Sequence, residues 1–76
     1  MTLDKHKLDG IPQIKSKTLS TEKFESLLAA AGYKRLGTAP AQGQRLKTWW
    51  SHVEHRRIEA IYSLDGKIAI TAYHVE

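Results

Sequence analysis

Apolar residues recur with a helical period in the first half of the chain. Four of them stand at positions i, i+3, i+4 and i+7, so a helix would carry them all on one face. They are Phe24, Leu27, Leu28 and Ala31. Ser20 is a favourable N-cap residue, and Gly32 is typical of a helix C-terminus. The pattern therefore predicts one amphipathic helix of about 12 residues.

Beyond Gly32 the apolar pattern changes to alternation at every second residue, which is typical of strands. The uncharged stretch 37–43 is rich in turn-forming residues, and we expect it to be a loop. The alternation predicts four strands in a mainly antiparallel sheet, at 33–36, 45–52, 57–63 and 67–75.

The turn between the last two predicted strands decides which side chains share a face. A three-residue turn over 64–66, with Gly66 in the left-handed conformation, pairs Tyr62 with Ile68. We prefer this register because it separates apolar from polar residues more cleanly, and a slip by one residue would exchange the faces. The predicted core face holds Ile58, Ala60, Tyr62, Ile68, Ile70 and Ala72. The predicted outer face holds Arg57, Glu59, Ile61, Ser63, Ala69, Thr71 and Tyr73.

These elements predict an α+β fold, in which one amphipathic helix packs on a four-stranded mainly antiparallel sheet. Residues 1–17 are different, because lysines alternate with aspartates there and Pro12 interrupts any helix. We expect residues 1–17 to form a basic, mobile N-terminal arm docked through Ile11 and Ile14. Alternatively, this arm becomes ordered on a polyanion or a protein partner. Residues 18–76 then form a single small domain.

Composition excludes several classes of protein. The chain has 76 residues and no cysteine, so it cannot form disulfides or thiolate metal sites. A chain of this length is not expected to enclose a large catalytic cavity. No apolar run approaches the roughly 18 residues of a membrane-spanning helix, and residues 1–7 do not resemble a signal peptide. We therefore expect a cytoplasmic protein that uses neither a membrane nor a cofactor.

The predicted register gathers basic and titratable residues at one end of the sheet. It pairs His74 with Arg56 and Tyr73 with Arg57, close to the connection between the second and third strands. Residues 44–57 carry four basic residues and one acidic residue, within a chain of net charge +4. The residues that should meet at this end are His52, His55, His74, Arg56 and Arg57.

A basic and aromatic surface is the feature that most favours a function. Arg45, Lys47 and Trp49 alternate along the second predicted strand, so they share one face, and Tyr73 could extend it. Nucleobases stack on aromatic rings, while lysine and arginine neutralise phosphates. We therefore predict a small basic module that binds RNA, or less favourably DNA. The predicted binding residues are Arg45, Lys47, Trp49, Arg56, Arg57 and Tyr73.

Two chemical functions of the histidines are alternatives. Metal-independent RNA cleavage needs a base, an acid and a cation, and His52, His55 and His74 could supply the first two. One helix followed by antiparallel strands resembles the layout of several small RNase toxins, although no family motif is matched. A metal site at the same histidines is not predicted, because two adjacent arginines would repel a dication.

A protein-interaction module is the alternative from another class. Ile61, Tyr73 and one tryptophan would form an exposed apolar patch, and open sheet edges could pair with another chain. The chain would then be an inhibitor or adaptor that binds an acidic protein partner or forms a homodimer. The glutamates, among them Glu54 and Glu59, show no catalytic spacing and are interpreted as surface residues.

Overall fold

The residues that the structure describes form one α-helix and a five-stranded antiparallel sheet. The computed structural model describes Leu3, residues 8–11, Ile14 and residues 16–75. The elements are β1 (Leu19–Ser20), α1 (Thr21–Ala30), β2 (Lys34–Pro40), a 3₁₀ turn (Gln42–Gln44), β3 (Leu46–Ser51), β4 (Arg57–Tyr62) and β5 (Ile68–Val75). The strand order is β1-β5-β4-β3-β2. The α+β class is confirmed, but four strands is wrong, because two residues before the helix pair with β5.

The helix follows the sequence prediction closely. Its N-cap is Ser20, whose side chain accepts a 3.3 Å hydrogen bond from the backbone N–H of Lys23. Gly32 follows the last turn with φ of +93°, a conformation that glycine adopts without strain. Phe24 and Leu28 are fully buried against the sheet. The periodicity and the two ends of the helix are therefore confirmed.

Residues near the N-terminus complete the core on the helix side of the sheet. Leu3, Leu8 and Ile11 are buried there together with Trp50 of β3. The backbone N–H of Leu3 donates to the carbonyl of Lys17 at 2.8 Å. The docking of Ile11 matches the prediction, whereas burial of Leu3 and Leu8 was not foreseen. Several other residues of the predicted arm lie outside the described residues, among them Lys5, Lys7, Pro12 and Lys15.

Strand β2 is longer than predicted. The residues expected to begin a loop at 37–43 continue the strand as far as Pro40, after an irregularity in the ladder at Leu36. Proline is tolerated because β2 is an edge strand, so its missing N–H removes no ladder bond. The backbone N–H of Ala41 then donates to the carbonyl of Arg45 at 2.8 Å and closes the connection to β3.

The register of the last hairpin differs from the prediction. Gly66 is left-handed as expected, with φ of +72°, but Tyr62 pairs with Ala69 and not with Ile68. A further shift in the ladder follows between Ile61 and Tyr62. Ala69 is consequently buried in the core, whereas Ile68 is 40% exposed. The predicted faces of these two residues are therefore wrong.

Side-chain bonds within the turn explain this difference. The carboxylate of Asp65 accepts hydrogen bonds from the Ser63 hydroxyl at 2.6 Å and from the Lys67 N–H at 3.0 Å. The Ser63 N–H donates to the Ile68 carbonyl at 2.8 Å. Ser63 and Lys67 were predicted to lie in the strands but belong to the turn. The pairing of the two strands therefore begins with Tyr62 and Ala69.

At the other end of the hairpin the register has moved by two residues. His74 pairs with Ile58, and Tyr73 pairs with Glu59, so the predicted pairs with Arg56 and Arg57 are wrong. A shift of two residues leaves every side chain on its original face. For this reason Tyr73 still lies on the outer face, and Ile58 still lies in the core.

Candidate nucleic-acid interface

One row of residues crosses the outer face of four neighbouring strands. Gly37 of β2 pairs with Trp49 of β3, Trp49 with Glu59 of β4, and Glu59 with Tyr73 of β5. Cross-strand partners project from the same face of a sheet. The sheet thus places Glu59 between two aromatic residues, with one on each side. We call these three residues, Trp49, Glu59 and Tyr73, the aromatic row.

Glu59 holds both aromatic side chains of this row. Its Oε1 accepts a hydrogen bond from the indole Nε1 of Trp49 at 2.9 Å. Its Oε2 accepts a hydrogen bond from the Tyr73 hydroxyl. The ammonium Nζ of Lys47 lies 3.8 Å from Oε1, with the carboxylate side chain only 14% exposed. The carboxylate therefore fixes the orientation of two rings and one cation.

The bond to Glu59 also perturbs the phenol. It raises the pKa of Tyr73 to about 12, with desolvation and the charge of Glu59 acting in the same direction. The phenol consequently remains a neutral donor at physiological pH. Its hydroxyl is directed to Glu59, and its ring contributes to the outer face.

The side of Trp49 that faces β2 is uncovered. Gly37 stands opposite it, and a Cβ atom built on Gly37 would meet no heavy atom within 4 Å. Lys47 Nζ lies 5.9 Å from the centre of the Trp49 ring, a cation–π distance. Trp49 is partly exposed, whereas Trp50 is 4% exposed and belongs to the core. Of the two tryptophans, Trp49 is thus the one available to a ligand.

Basic residues surround the aromatic row. Lys34, which pairs with Ser51, and Arg57 lie on this face towards one end, whereas Arg45 and Lys47 lie towards the other. Among the described strand residues Glu59 is the single carboxylate. Four cations therefore face one acidic group whose oxygens already accept hydrogen bonds, which leaves the outer face electropositive.

A concavity of about 310 Å³ opens at the end of the outer face where β3 begins. Its wall is the connection between β2 and β3, and its floor is formed by residues of β4 and β5. None of the described residues that line it is acidic. They are Ala41, Gln42, Arg45, Lys47, Ile61 and Tyr73.

The predicted histidine cluster forms at the opposite end of the sheet. The rings of His52 and His55 lie 4.4 Å apart between centroids, and Tyr33 lies 4.7 Å from His52. His52 Nε2 donates to the carbonyl of Ala31 at 2.9 Å, and its Nδ1 accepts the backbone N–H of Glu54 at 2.9 Å. Both nitrogens of this ring therefore bind backbone groups.

His74 joins this cluster through the N-terminal segment. Its Nδ1 donates to the carbonyl of Arg56 at 3.0 Å, and its Nε2 accepts the backbone N–H of Asp9 at 2.9 Å. The hydroxyl of Tyr33 donates to the carbonyl of Asp9 at 2.7 Å. The His55 ring lies against Gly10, where an added Cβ would stand 3.3 Å from Nε2. The histidines thus secure the turn at Asp9 and Gly10.

The two predicted arginines are placed differently from each other. Arg57 begins β4 and faces outward, while Arg56 precedes the strand and contributes its carbonyl to His74. Both side chains are exposed and form no ion pair within the described residues. In that same part of the chain, no three potential ligand side chains are grouped to hold a metal ion.

Comparison of the chain with protein-family models, curated proteins and solved structures found no match. Across the residues described, no helix is long and apolar enough to cross a membrane.

Sequence reasoning missed Glu59, which was interpreted as an ordinary surface residue. Its position between Trp49 and Tyr73 becomes visible only in the correct hairpin register. Alternation along β4 does place Glu59 on the outer face. The sequence signal for its role is that it is the one acidic residue in β3 and β4, which otherwise carry basic residues. Gly37 was missed as well, because it was assigned to a loop.

Proposed function

We propose that the outer face of the sheet binds single-stranded RNA. The observation that carries this proposal is the aromatic row, in which Glu59 orients Trp49 and Tyr73 on one open sheet face. Stacking of a base on an aromatic ring contributes about 1–3 kcal/mol and requires bases that are not paired in a duplex. Rings that are already oriented lose little conformational freedom when a base binds.

The charge around the row supports the same ligand. Lys34, Arg45 and Arg57 border the rings without an ion pair in the described residues, so they are available to phosphates. Neutralising phosphates releases counterions, which strengthens binding at low salt. The proposed ligand therefore presents flat bases to the row and phosphates to its borders.

The proposal assigns no catalytic step to the histidines. A general acid or base must exchange a proton with the substrate, yet both nitrogens of His52 and of His74 bind backbone groups. His55 stacks between these elements, 6.2 Å from the Tyr33 ring centre. The cluster supports a structural role at the end of the sheet, and binding without cleavage is the function that we propose.

A salt-dependent binding titration tests the proposal. Fluorescent single-stranded RNA is titrated with the wild type, a Lys34→Ala/Arg57→Ala variant and a Lys17→Ala/Lys23→Ala variant. Each double variant removes two charges, but Lys17 and Lys23 are exposed outside the outer face. We expect the outer-face variant to bind more weakly, and its slope of log affinity against log salt to flatten by about 0.7 per lost phosphate contact.

Other outcomes are informative about the partner. Equal weakening by both double variants would show that only net charge attracts RNA, and it would contradict a specific face. Tighter binding of single-stranded DNA or of duplexes would reassign the nucleic acid. Absence of binding at low salt would overturn the proposal and favour the protein-interaction alternative, which size-exclusion chromatography at several concentrations would then examine.

A further inference from the structure

The concavity beside the aromatic row has the chemistry of a nucleotide site. We infer that it receives one nucleotide of the bound strand, with the base against Tyr73 and Ile61 and the phosphate on Arg45. This inference rests on the proposed function and makes it more specific. The volume of the concavity, about 310 Å³, lies at the lower end of the range of small-ligand pockets.

The two sides of the concavity differ in polarity. Ile61 lies on the outer face, opposite Lys47 and Thr71, and at 6% exposure it forms the covered bottom of the concavity, so Tyr73 supplies most of the surface that a base can contact. Tyr73 adds an aromatic surface beside it, with its hydroxyl bound by Glu59. The flat face of a base can stack on the Tyr73 ring, while the polar edge of the base stays open to hydrogen bonds.

The cations supply the complementary anion site. Lys47 is partly engaged, because its Nζ lies 3.8 Å from Glu59. Arg45 has no ion pair among the described residues and lines the same space. A guanidinium can bind a phosphate with two parallel hydrogen bonds, which gives both affinity and orientation. Since no acidic residue stands among the described lining residues, Arg45 is the natural phosphate contact.

The wall of the concavity is well defined. The Ala41 N–H bond to the Arg45 carbonyl closes the turn that carries Gln42. Gly43 and Gln44 turn the chain with φ of +71° and +62°. The side-chain amide of Gln42 has both a donor and an acceptor, so it can read the edge of a base. The concavity therefore has the parts needed to distinguish one base from another.

Mononucleotides test the site directly. Each ribonucleoside 5′-monophosphate and its parent nucleoside are titrated into isotopically labelled protein, and amide shifts are followed by NMR. We expect saturable shifts at Gln42 and at neighbours of Ile61, with one base preferred. Nucleosides should bind more weakly than monophosphates.

Arg45→Ala is the decisive variant, and Arg35→Ala is its matched control. Arg35 also carries an exposed guanidinium, but it lies on the helix side, 3.8 Å from Glu25. Arg45→Ala should weaken monophosphate binding by about tenfold, the effect of losing a charge-assisted hydrogen bond. It should leave nucleoside binding unchanged, so that nucleotide and nucleoside bind alike.

The outcomes separate this inference from the proposed function. Equal monophosphate affinity in the Arg45 and Arg35 variants, or shifts centred on Trp49 alone, would overturn the nucleotide site. If single-stranded RNA still bound in that case, the proposed function would stand. If neither RNA nor any monophosphate bound the wild type, both would fall. Competition by inorganic phosphate as strong as by the monophosphate would show an anion site without base recognition, and would also overturn the inference.

Discussion

Glu59 has two opposing effects on the proposed ligand. Its negative charge lies in the middle of a basic face, so by itself it repels phosphates. Its two oxygens also hold the Trp49 indole and the Tyr73 hydroxyl, and they order the rings. The substitution Glu59→Gln removes both effects. A rise or a fall in RNA affinity in this variant therefore shows which effect is larger.

Glu59→Gln should weaken RNA binding although it makes the face more positive. An amide has one acceptor oxygen, so it cannot accept from both Trp49 and Tyr73 in the present geometry. We expect a loss of about threefold to tenfold, because stacking is worth about 1–3 kcal/mol per base and only ring order is lost. The measurement is the Kd at two salt concentrations. Glu54→Gln, an exposed loop variant with the same charge change, should bind slightly more tightly.

The tyrosine titration shows whether this substitution has released the ring. The folded-state pKa of Tyr73 is about 12, above the usual value of about 10. The stability that comes from the neutral phenol is therefore complete below pH 10 and is lost as the pH rises through 12. Burial also raises the pKa of Tyr33 and Tyr62. Ultraviolet absorbance should show Tyr73 ionising well above pH 10 in the wild type and at lower pH in Glu59→Gln. Tighter RNA binding by that variant would contradict the ordering role.

At the scale of elements, the last hairpin depends on one glycine. Gly66 has φ of +72°, and a Cβ there would stand 3.3 Å from Leu46 Cδ1. Gly66→Val should lower the free energy of unfolding by about 1–3 kcal/mol, because a β-branched residue is strained in the left-handed region. Denaturant unfolding measures this change. Gly37→Ala is the control, since Gly37 has no positive φ and open space around it. Equal stability of the two variants would contradict the turn geometry.

The helix could be predicted because its determinants are local. The apolar period, the Ser20 cap and Gly32 all lie within one segment, so each can be recognised without knowing which strands the segment packs against. The hairpin register could not be predicted in full, because the Asp65 carboxylate competes with the ladder for Ser63 and Lys67. Strand β2 depends on a partner strand, and residues such as Gly37 have little strand preference of their own.

In the candidate site, too, local features could be predicted and contacts between distant segments could not. Alternation placed Arg45, Lys47 and Trp49 on one face correctly, since side-chain direction in a strand follows from sequence parity. The role of Glu59 required the pairing of three strands, which parity does not supply. The histidines were expected to meet at one end and do so, but their partners are backbone groups distant in sequence, such as Asp9 for His74.

At the scale of the whole molecule, the histidine cluster joins the N-terminal segment to the sheet. His74 spans 65 positions of sequence to reach Asp9, and its ring side chain is 7% exposed. The same segment carries Leu3, Leu8 and Ile11 into the core. For a domain this small, three buried aliphatic side chains are a large share of the apolar area removed from water, so their attachment matters for stability.

His74→Ala should loosen this attachment and leave the outer face functional. It removes the acceptor of the Asp9 N–H and the donor to the Arg56 carbonyl, and each of these exposed hydrogen bonds contributes about 0.5–1.5 kcal/mol to stability. Hydrogen exchange should accelerate at the amides of Leu3 and Ile11, which are bonded within this segment. His55→Ala should have a smaller effect, because its ring forms no hydrogen bond in the described part of the chain. Unchanged exchange in His74→Ala would show that apolar packing alone holds the segment. Retained RNA affinity in the same variant would separate this structural end of the sheet from the proposed binding face.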